Sequence, residues 1–186
     1  MDVSPFLSGQ LLLSMPGMGD ARFERAVIAM CLHDEEGALG LICNAPMPEL
    51  SVADLMRQLD IDPGVTPDVP VLAGGPVEPG RGFVLHSAEY EGQGTISIGK
   101  KWGLTSTLDI LKDIAAGKGP ARWLATVGYA GWGAGQLEEE MTQHGWLAAP
   151  GDEGILFETP LEKRWPAAFA GVGLNVGRMS AVAGRA

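Results

Sequence analysis

The pattern of apolar and polar positions divides this chain into many short elements. Residues 9–15 carry an apolar run around Leu11-Leu12-Leu13 and read as a first strand. Two longer apolar runs, 26–32 and 38–43, flank Asp34-Glu35-Glu36-Gly37 and fill both parities of the strand period. They predict a hairpin covered on both faces. Ser51 and Asp54 stand at capping-box spacing ahead of a helix over 52–59, which Pro63-Gly64 closes off. Strands are expected at 69–73, 82–88 and 95–99, with turns at Gly74-Gly75-Pro76 and Glu91-Gly92-Gln93-Gly94. A second helix over 107–116 would be capped by Ser106 and Asp109 and ended by Gly117.

The strand predicted over 121–129 runs into a glycine-rich turn, Gly131-Trp132-Gly133-Ala134-Gly135. A third helix follows over about 135–144, ended by Gly145. A short strand at 155–157 and a helix from Pro160, kinked or broken at Pro166, complete the pattern. The stretch 171–186 has four glycines and no acids, and is expected to be loosely held. Strands in runs with helices interspersed irregularly predict one α+β domain over 1–186 with a mixed or antiparallel sheet, not a doubly wound fold.

Composition sharpens this picture. With 27 glycines and 13 prolines in 186 residues, tight turns between short elements are favoured over a helical bundle. The formal net charge is −10, and residues 1–68 alone hold 11 acids against 3 bases. Such a surface repels phosphate backbones, and no basic stripe with interleaved aromatics offsets it. Lys100-Lys101-Trp102 is the one local basic–aromatic cluster, too small to bind nucleic acid alone. The N-terminus lacks a basic leader region, and the leucine run is too short to span a membrane, so a cytoplasmic location is expected. Two cysteines, Cys31 and Cys43, do not make a disulfide framework.

Candidate chemistry concentrates at the glycines. A strand, a glycine-rich loop and a helix N-terminus can present backbone N–H groups to an anion. Yet 131–135 is not G-x-G-x-x-G, and Glu138-Glu139-Glu140 would oppose a nucleotide phosphate. The loop through Gly74, Gly75, Pro76 and Val77 to Arg81 could hold a carboxylate or small anion; a rigid connection with Arg81 ion-paired at the surface is the structural alternative. His86 and Ser87 are adjacent in a strand and point to opposite faces, so the histidine cannot activate the serine. Cys31 and His33 share a strand face and could form a dyad or half a metal site, although no further ligand lies at suitable spacing. His144 sits at a helix end, where it suits the dipole. A hairpin centred on Glu35-Glu36 would set Cys31 opposite Gly40 and send Cys43 to the other face. The acidic runs 34–36 and 138–140 are consecutive rather than convergent and read as solvated faces.

Taken together, Gly37-Ala38-Leu39-Gly40-Leu41-Ile42-Cys43-Asn44, Gly74-Gly75-Pro76-Val77, Phe83-Val84-Leu85-His86, the 128–138 segment and the terminal Ser180…Gly184…Ala186 resemble the AlgH/YqgE family of bacterial proteins. Asn44 stands where the family usually carries asparagine, and Cys43 where an aliphatic residue is commoner. The resemblance implies an α+β domain whose sheet bifurcates and folds into a pseudo-barrel, with several short helices. It supplies no reaction: members are mostly uncharacterised, and some are labelled transcriptional regulators.

The resulting expectation is a non-enzymatic binding or regulatory protein that contacts a protein partner. Its surface would combine Gly74, Gly75, Pro76, Val77, Arg81 and His86 with Gly131, Trp132, Gly133, Gly135, Gln136 and Glu138, Trp132 serving as the anchor. The rival is an enzyme or small-molecule binder holding an anionic ligand in the same groove through Arg81 and His86. Direct DNA binding comes third. No catalytic residue, metal or cofactor is assigned, and no membrane contact is expected.

Overall fold

Ten strands form one connected sheet in the computed structural model, which describes residues 6–176. The first are β1 (Leu11–Ser14), β2 (Val27–Asp34) and β3 (Gly37–Ile42), followed by β4 (Pro46–Ser51), α1 (Val52–Gln58) and β5 (Pro70–Ala73). Next come β6 (Val77–Ser87), β7 (Ile96–Ile98), β8 (Trp102–Thr105) and α2 (Leu108–Ala115). The chain continues with β9 (Trp123–Gly133), α3 (Gln136–Thr142) and β10 (Trp146–Ala149), and ends with α4 (Glu153–Phe157) and α5 (Arg164–Gly171).

The main strand order is β10-β1-β2-β3-β9-β6-β8-β7, with β4 and β5 branching from it. Strand β9 is where the sheet divides. One edge of β9 takes β6, from His86 opposite Trp123 to Val77 opposite Tyr129. The other edge is shared. Its first part pairs with β5 in parallel, Leu72 with Thr126 and Ala73 with Val127. Its second part pairs with β3 antiparallel, from Ala130 opposite Gly40 to Gly133 opposite Gly37. The two branches let the sheet curl into a half-barrel flanked by short helices.

Side-chain alternation distributes the core over three clusters. In β1, Leu11 and Leu13 face the cluster inside the curl, while Leu12 faces the opposite side. In β2, Val27, Ala29 and Cys31 face inward, while Ile28 and Met30 face outward, so the predicted two-sided burial holds. The inner cluster is closed by Leu156 of α4 and by Trp165 and Phe169 of α5. The outer cluster gathers Trp132 and Trp146 with Leu137 of α3. The third packs α1 and α2, through Met56, Ile110 and Ile114, onto Val71, Val84 and Ala125.

Local signals were read well where the cause is local. The Ser51–Asp54 capping box is present in both directions, at 3.0 and 3.2 Å. Gly117, at φ +77°, ends α2 as expected. The cap of that helix is different: Thr107 is the N-cap and makes no side-chain cap bond, its hydroxyl donating to the Gln93 carbonyl instead. Residues 155–157 belong to α4, not a strand, because the Asp152 carboxylate caps Gly154 and Ile155 and Leu156 is drawn into the core. Pro166 neither kinks nor breaks α5. It is the helix's third residue, where a missing N–H costs nothing.

The β2–β3 hairpin keeps the expected turn, with Asp34 opposite Gly37, but a bulge between Met30 and Leu32 shifts the register. Cys31 is the extra residue, and Gly40 pairs with Met30 instead. The shift puts Cys31 and Cys43 in the same inner cluster, where both remain free thiols. Val172 and Val176 pack against that cluster, so order persists beyond residue 171. From 177 on, the expected loose tail and the Ser180…Gly184…Ala186 motif lie outside the described residues.

Candidate functional site

The glycine motifs meet where the sheet divides. Gly74 and Gly75 follow β5 and lie against the backbone of β9 at 128–130. A Cβ on Gly74 would sit 2.4 Å from the Gly128 carbonyl oxygen, and one on Gly75 only 2.1 Å from the Tyr129 carbonyl carbon. Gly128 itself has φ +76°, and a Cβ there would fall 2.4 Å from the Gly75 oxygen. The backbone groups are consumed in turn. Gly74 N–H donates to the Val127 carbonyl at 2.8 Å, and the Gly74 carbonyl accepts from Ile42 N–H at 2.8 Å. Asn44 secures the neighbouring corner by accepting from Val27 N–H at 3.0 Å and donating to the Arg25 carbonyl at 2.8 Å.

The second half of the expected surface is folded into the structure as well. Strand β9 continues through Gly131 and Trp132 to Gly133, so the turn shrinks to Ala134 and Gly135. Gly135 takes the left-handed conformation at the N-cap of α3. Gln136 accepts from Gly133 N–H at 2.9 Å and donates to Glu140 at 2.8 Å. The Trp132 indole is 7% exposed and stacks edge-on with Trp146; the N–H groups of both rings donate to Glu140 Oε1. Trp132 is therefore not presented to a partner in this conformation. Pro76 and Val77 lead into β6, where Arg81 is exposed, pairs with Glu78 at 3.6 Å and lies over Phe83. Lys100 and Lys101 are exposed, but Trp102 is buried in the inner cluster, which breaks up that basic–aromatic cluster.

The histidines and cysteines lie apart from one another. His86 pairs with Trp123, at the far end of β9 from Trp132, so the structure does not bring it to the glycine segment. It is fully buried; Nδ1 donates to the Ser87 carbonyl at 2.9 Å and Nε2 accepts from Thr105 at 2.8 Å. Ser87 bonds with Arg122 backbone groups instead. His33 accepts from Leu7 N–H at Nδ1, 2.9 Å, so Nε2–H faces Glu138 Oε1, to which it bonds. Glu138 is thus a clamp between α3 and the hairpin. Cys31 faces the inner cluster while His33 meets α3, so the bulge rules out the dyad expected from their spacing. Burial raises the Cys31 thiol far above its ordinary range and pushes the Cys43 thiol up to about 12. Neither supplies a thiolate at neutral pH. Among the described residues, no three His, Cys, Asp or Glu side chains converge as a metal site.

Burial also drives the His86 pKa below its ordinary 6.5, against smaller opposing effects from the Ser87 carbonyl and Glu89. The unfolded chain then takes up this proton before the folded one does. His86 leaves stability undiminished above pH 6.5 and reduces it as pH falls from there toward the folded pKa. The slope approaches about 1.4 kcal/mol per pH unit. Urea unfolding of wild type and His86→Gln between pH 7.5 and 5 checks this; an unchanged slope in the variant would remove His86 as its source.

A different place carries unclaimed chemistry. A cleft of about 320 Å³ opens beside β5 and the start of β9, lined by Val69, Leu72, Trp123, Leu124, Phe157, Leu161 and others, with two arginines. Arg122 pairs with Glu153 at 2.7 Å and with Glu158 at 3.0 Å. Arg164 is 6% exposed and has carbonyl partners: Nε donates to Thr159 at 2.9 Å, and Nη1 donates to Cys43. Among the described residues no carboxylate lies within ion-pair distance of it. Burial lowers its pKa, but a guanidinium stays charged at any ordinary pH.

A model of the AlgH-like family matches residues 11–177. The chain belongs to the AlgH-like family. A UPF0301 protein of Rhizorhabdus wittichii is 53% identical over the full length of both chains. One from Sphingopyxis alaskensis is 48% identical, again over both full lengths. The solution structure of the AlgH protein from Pseudomonas aeruginosa superposes with a TM-score of 0.80 at 39% identity, covering 97% of each chain. A crystal structure of a Corynebacterium diphtheriae protein shares the fold, with a TM-score of 0.72 at 19% identity over 90% of this chain and 87% of the other. No helix among the described residues of this AlgH-like chain is long and apolar enough to cross a membrane.

The shared glycine motifs of the AlgH-like fold thus have a clear structural task in this chain: they bring backbones together at the division of the sheet. The cleft arginines were absent from the sequence reading. Arg164, in Lys163-Arg164-Trp165, looks like an ordinary charged residue at a helix start; its burial depends on the carbonyl of Cys43, 121 positions away. The one signal available was an arginine beside a tryptophan within an apolar C-terminal segment.

Proposed function

We propose that this AlgH-like protein acts by binding rather than by catalysis, as a cytoplasmic regulatory protein whose ligand seat is the Arg164 cleft. The observation that carries this reading is a buried guanidinium held by carbonyls at the wall of an apolar cleft. Buried charges are ordinarily paired, so a site of this kind favours an anionic guest. Two further features support it. His33, His86, Cys31 and Cys43 are all held in the packing, away from any nucleophile–base arrangement. Free buried thiols also suit a reducing compartment.

Contact with a protein partner is the second reading. It is favoured by an apolar groove of about 230 Å³ between α1 and α2, with Leu59 and Leu108 exposed at its rim, 40% and 49% respectively. Direct DNA contact is opposed by the net charge.

Native mass spectrometry of protein isolated without denaturation separates these readings. Wild type is expected to retain a small-molecule mass that Leu161→Trp, which fills the cleft, loses. A protein that co-purifies equally with both forms, with no small molecule in either, would sink the cleft reading and move the α1–α2 groove to the front.

A further inference from the structure

We infer that the cleft takes a monoanionic carboxylate on a small apolar body, with the carboxylate on Arg164 and the body against Trp123 and Leu161. This rests on the reading of the cleft as the ligand seat and narrows it to a chemical class. Two of the five guanidinium N–H donors of Arg164 are assigned to carbonyls, and its side chain lines the cleft. The planar fork matches a carboxylate, to which it can donate two parallel bonds.

Charge selects a monoanion. Arg122 is already matched by Glu153 and Glu158, both acids lying at the same mouth. A single negative charge on the ligand pairs with Arg164 alone. A dianion would leave its second charge facing those two glutamates, on a chain of net charge −10. Size and lining select the body. About 320 Å³ is at the small end of ligand pockets, which run from roughly 300 to 1,000 Å³. Val69, Leu72 and Phe157 give it apolar walls, and Trp123 offers an aromatic one. One ring or a short chain fits.

The other large cleft, about 420 Å³ between the 15–25 loop and Trp165, lacks such a feature. Its cation, Arg25, is exposed and lies over the Trp165 ring at 5.3 Å.

Calorimetric titration of the full chain with sodium benzoate, neutral benzamide and inorganic phosphate, at constant ionic strength, tests the inference. Benzoate is expected to bind at least tenfold more tightly than benzamide, and phosphate to give no saturable heat. Arg164→Lys keeps the charge and loses the fork, and should weaken benzoate about tenfold while leaving benzamide unchanged. Leu161→Trp, which touches neither carbonyl bond of Arg164, should abolish binding of both if Arg164→Lys proves unfolded. Benzamide binding as tightly as benzoate, or phosphate binding in preference, overturns the carboxylate class and leaves the cleft as a ligand seat. Benzoate binding that survives Leu161→Trp overturns the class and the seat together. Wild type that binds none of the three overturns the inference; whether a natural ligand is retained in the cleft is read separately, by the native mass.

Discussion

Gly75→Ala is expected to remove at least about 3 kcal/mol of folding stability, a large share of the roughly 5–15 kcal/mol that holds a domain of this kind. The methyl group would stand 2.1 Å from the Tyr129 carbonyl carbon, 2.2 Å from its oxygen and 2.3 Å from the Ala130 nitrogen. All three are backbone atoms in the middle of β9. No rotamer change can relieve the contact, so the β5–β6 connection must move away from β9. That motion would also strain the bond from Ile42 N–H to the Gly74 carbonyl, which ties β3 to the same point. Gly80→Ala, four residues beyond this packed pair, is the control: nothing lies within 4 Å of a Cβ there, and the change should stay within about 0.5 kcal/mol. Urea unfolding of the three proteins decides it through the midpoint at constant slope. Equal midpoints for Gly75→Ala and wild type would mean that the glycine pair is not needed for packing and is open to a binding role.

What the sequence disclosed about this fold follows the range of the forces involved. The Ser51 cap and the Gly117 stop are settled within a few residues and were readable, as was the alternation that buries β2 on both faces. Strand β4 was not read, because Pro46 and Pro48 argue against a strand and its pairing to β5 is irregular between Met47 and Ser51. Strands β8 and β10 have four residues each, too few to show a period before their partners are known. The Cys31 bulge reverses a parity argument that was sound for a regular hairpin. For the candidate site, the glycines correctly marked a place where backbones approach closely. They did not say whether the approaching group is a ligand or β9. Arg164 could not be picked out, since both carbonyls that hold it are brought in by the fold.

Trp132→Ala is expected to cost about 3–5 kcal/mol, the usual range for removing a buried tryptophan. The indole fills the outer cluster beside Ile28, Ala130 and Leu137, and its ring packs edge-on to Trp146 at 6.0 Å. The same Glu140 oxygen accepts from Trp132 at 3.3 Å and from Trp146 at 3.0 Å, so the truncation also loosens what seats α3 on the sheet. Trp132→Phe keeps most of the volume and loses one bond to a carboxylate, for about 1.5–3 kcal/mol. A graded loss, Ala greater than Phe, with benzoate affinity unchanged in the folded Phe variant, is the signature of a packing residue remote from the ligand seat. The opposite result would be Trp132→Ala within 1 kcal/mol of wild type by urea unfolding, yet unable to hold a partner that the wild type holds. That outcome would require the indole to leave its cluster when it binds, and would restore the tryptophan as the anchor of a protein contact. Loss of a partner in Trp132→Ala can therefore count as functional evidence only after the unfolding curve of the same variant is known.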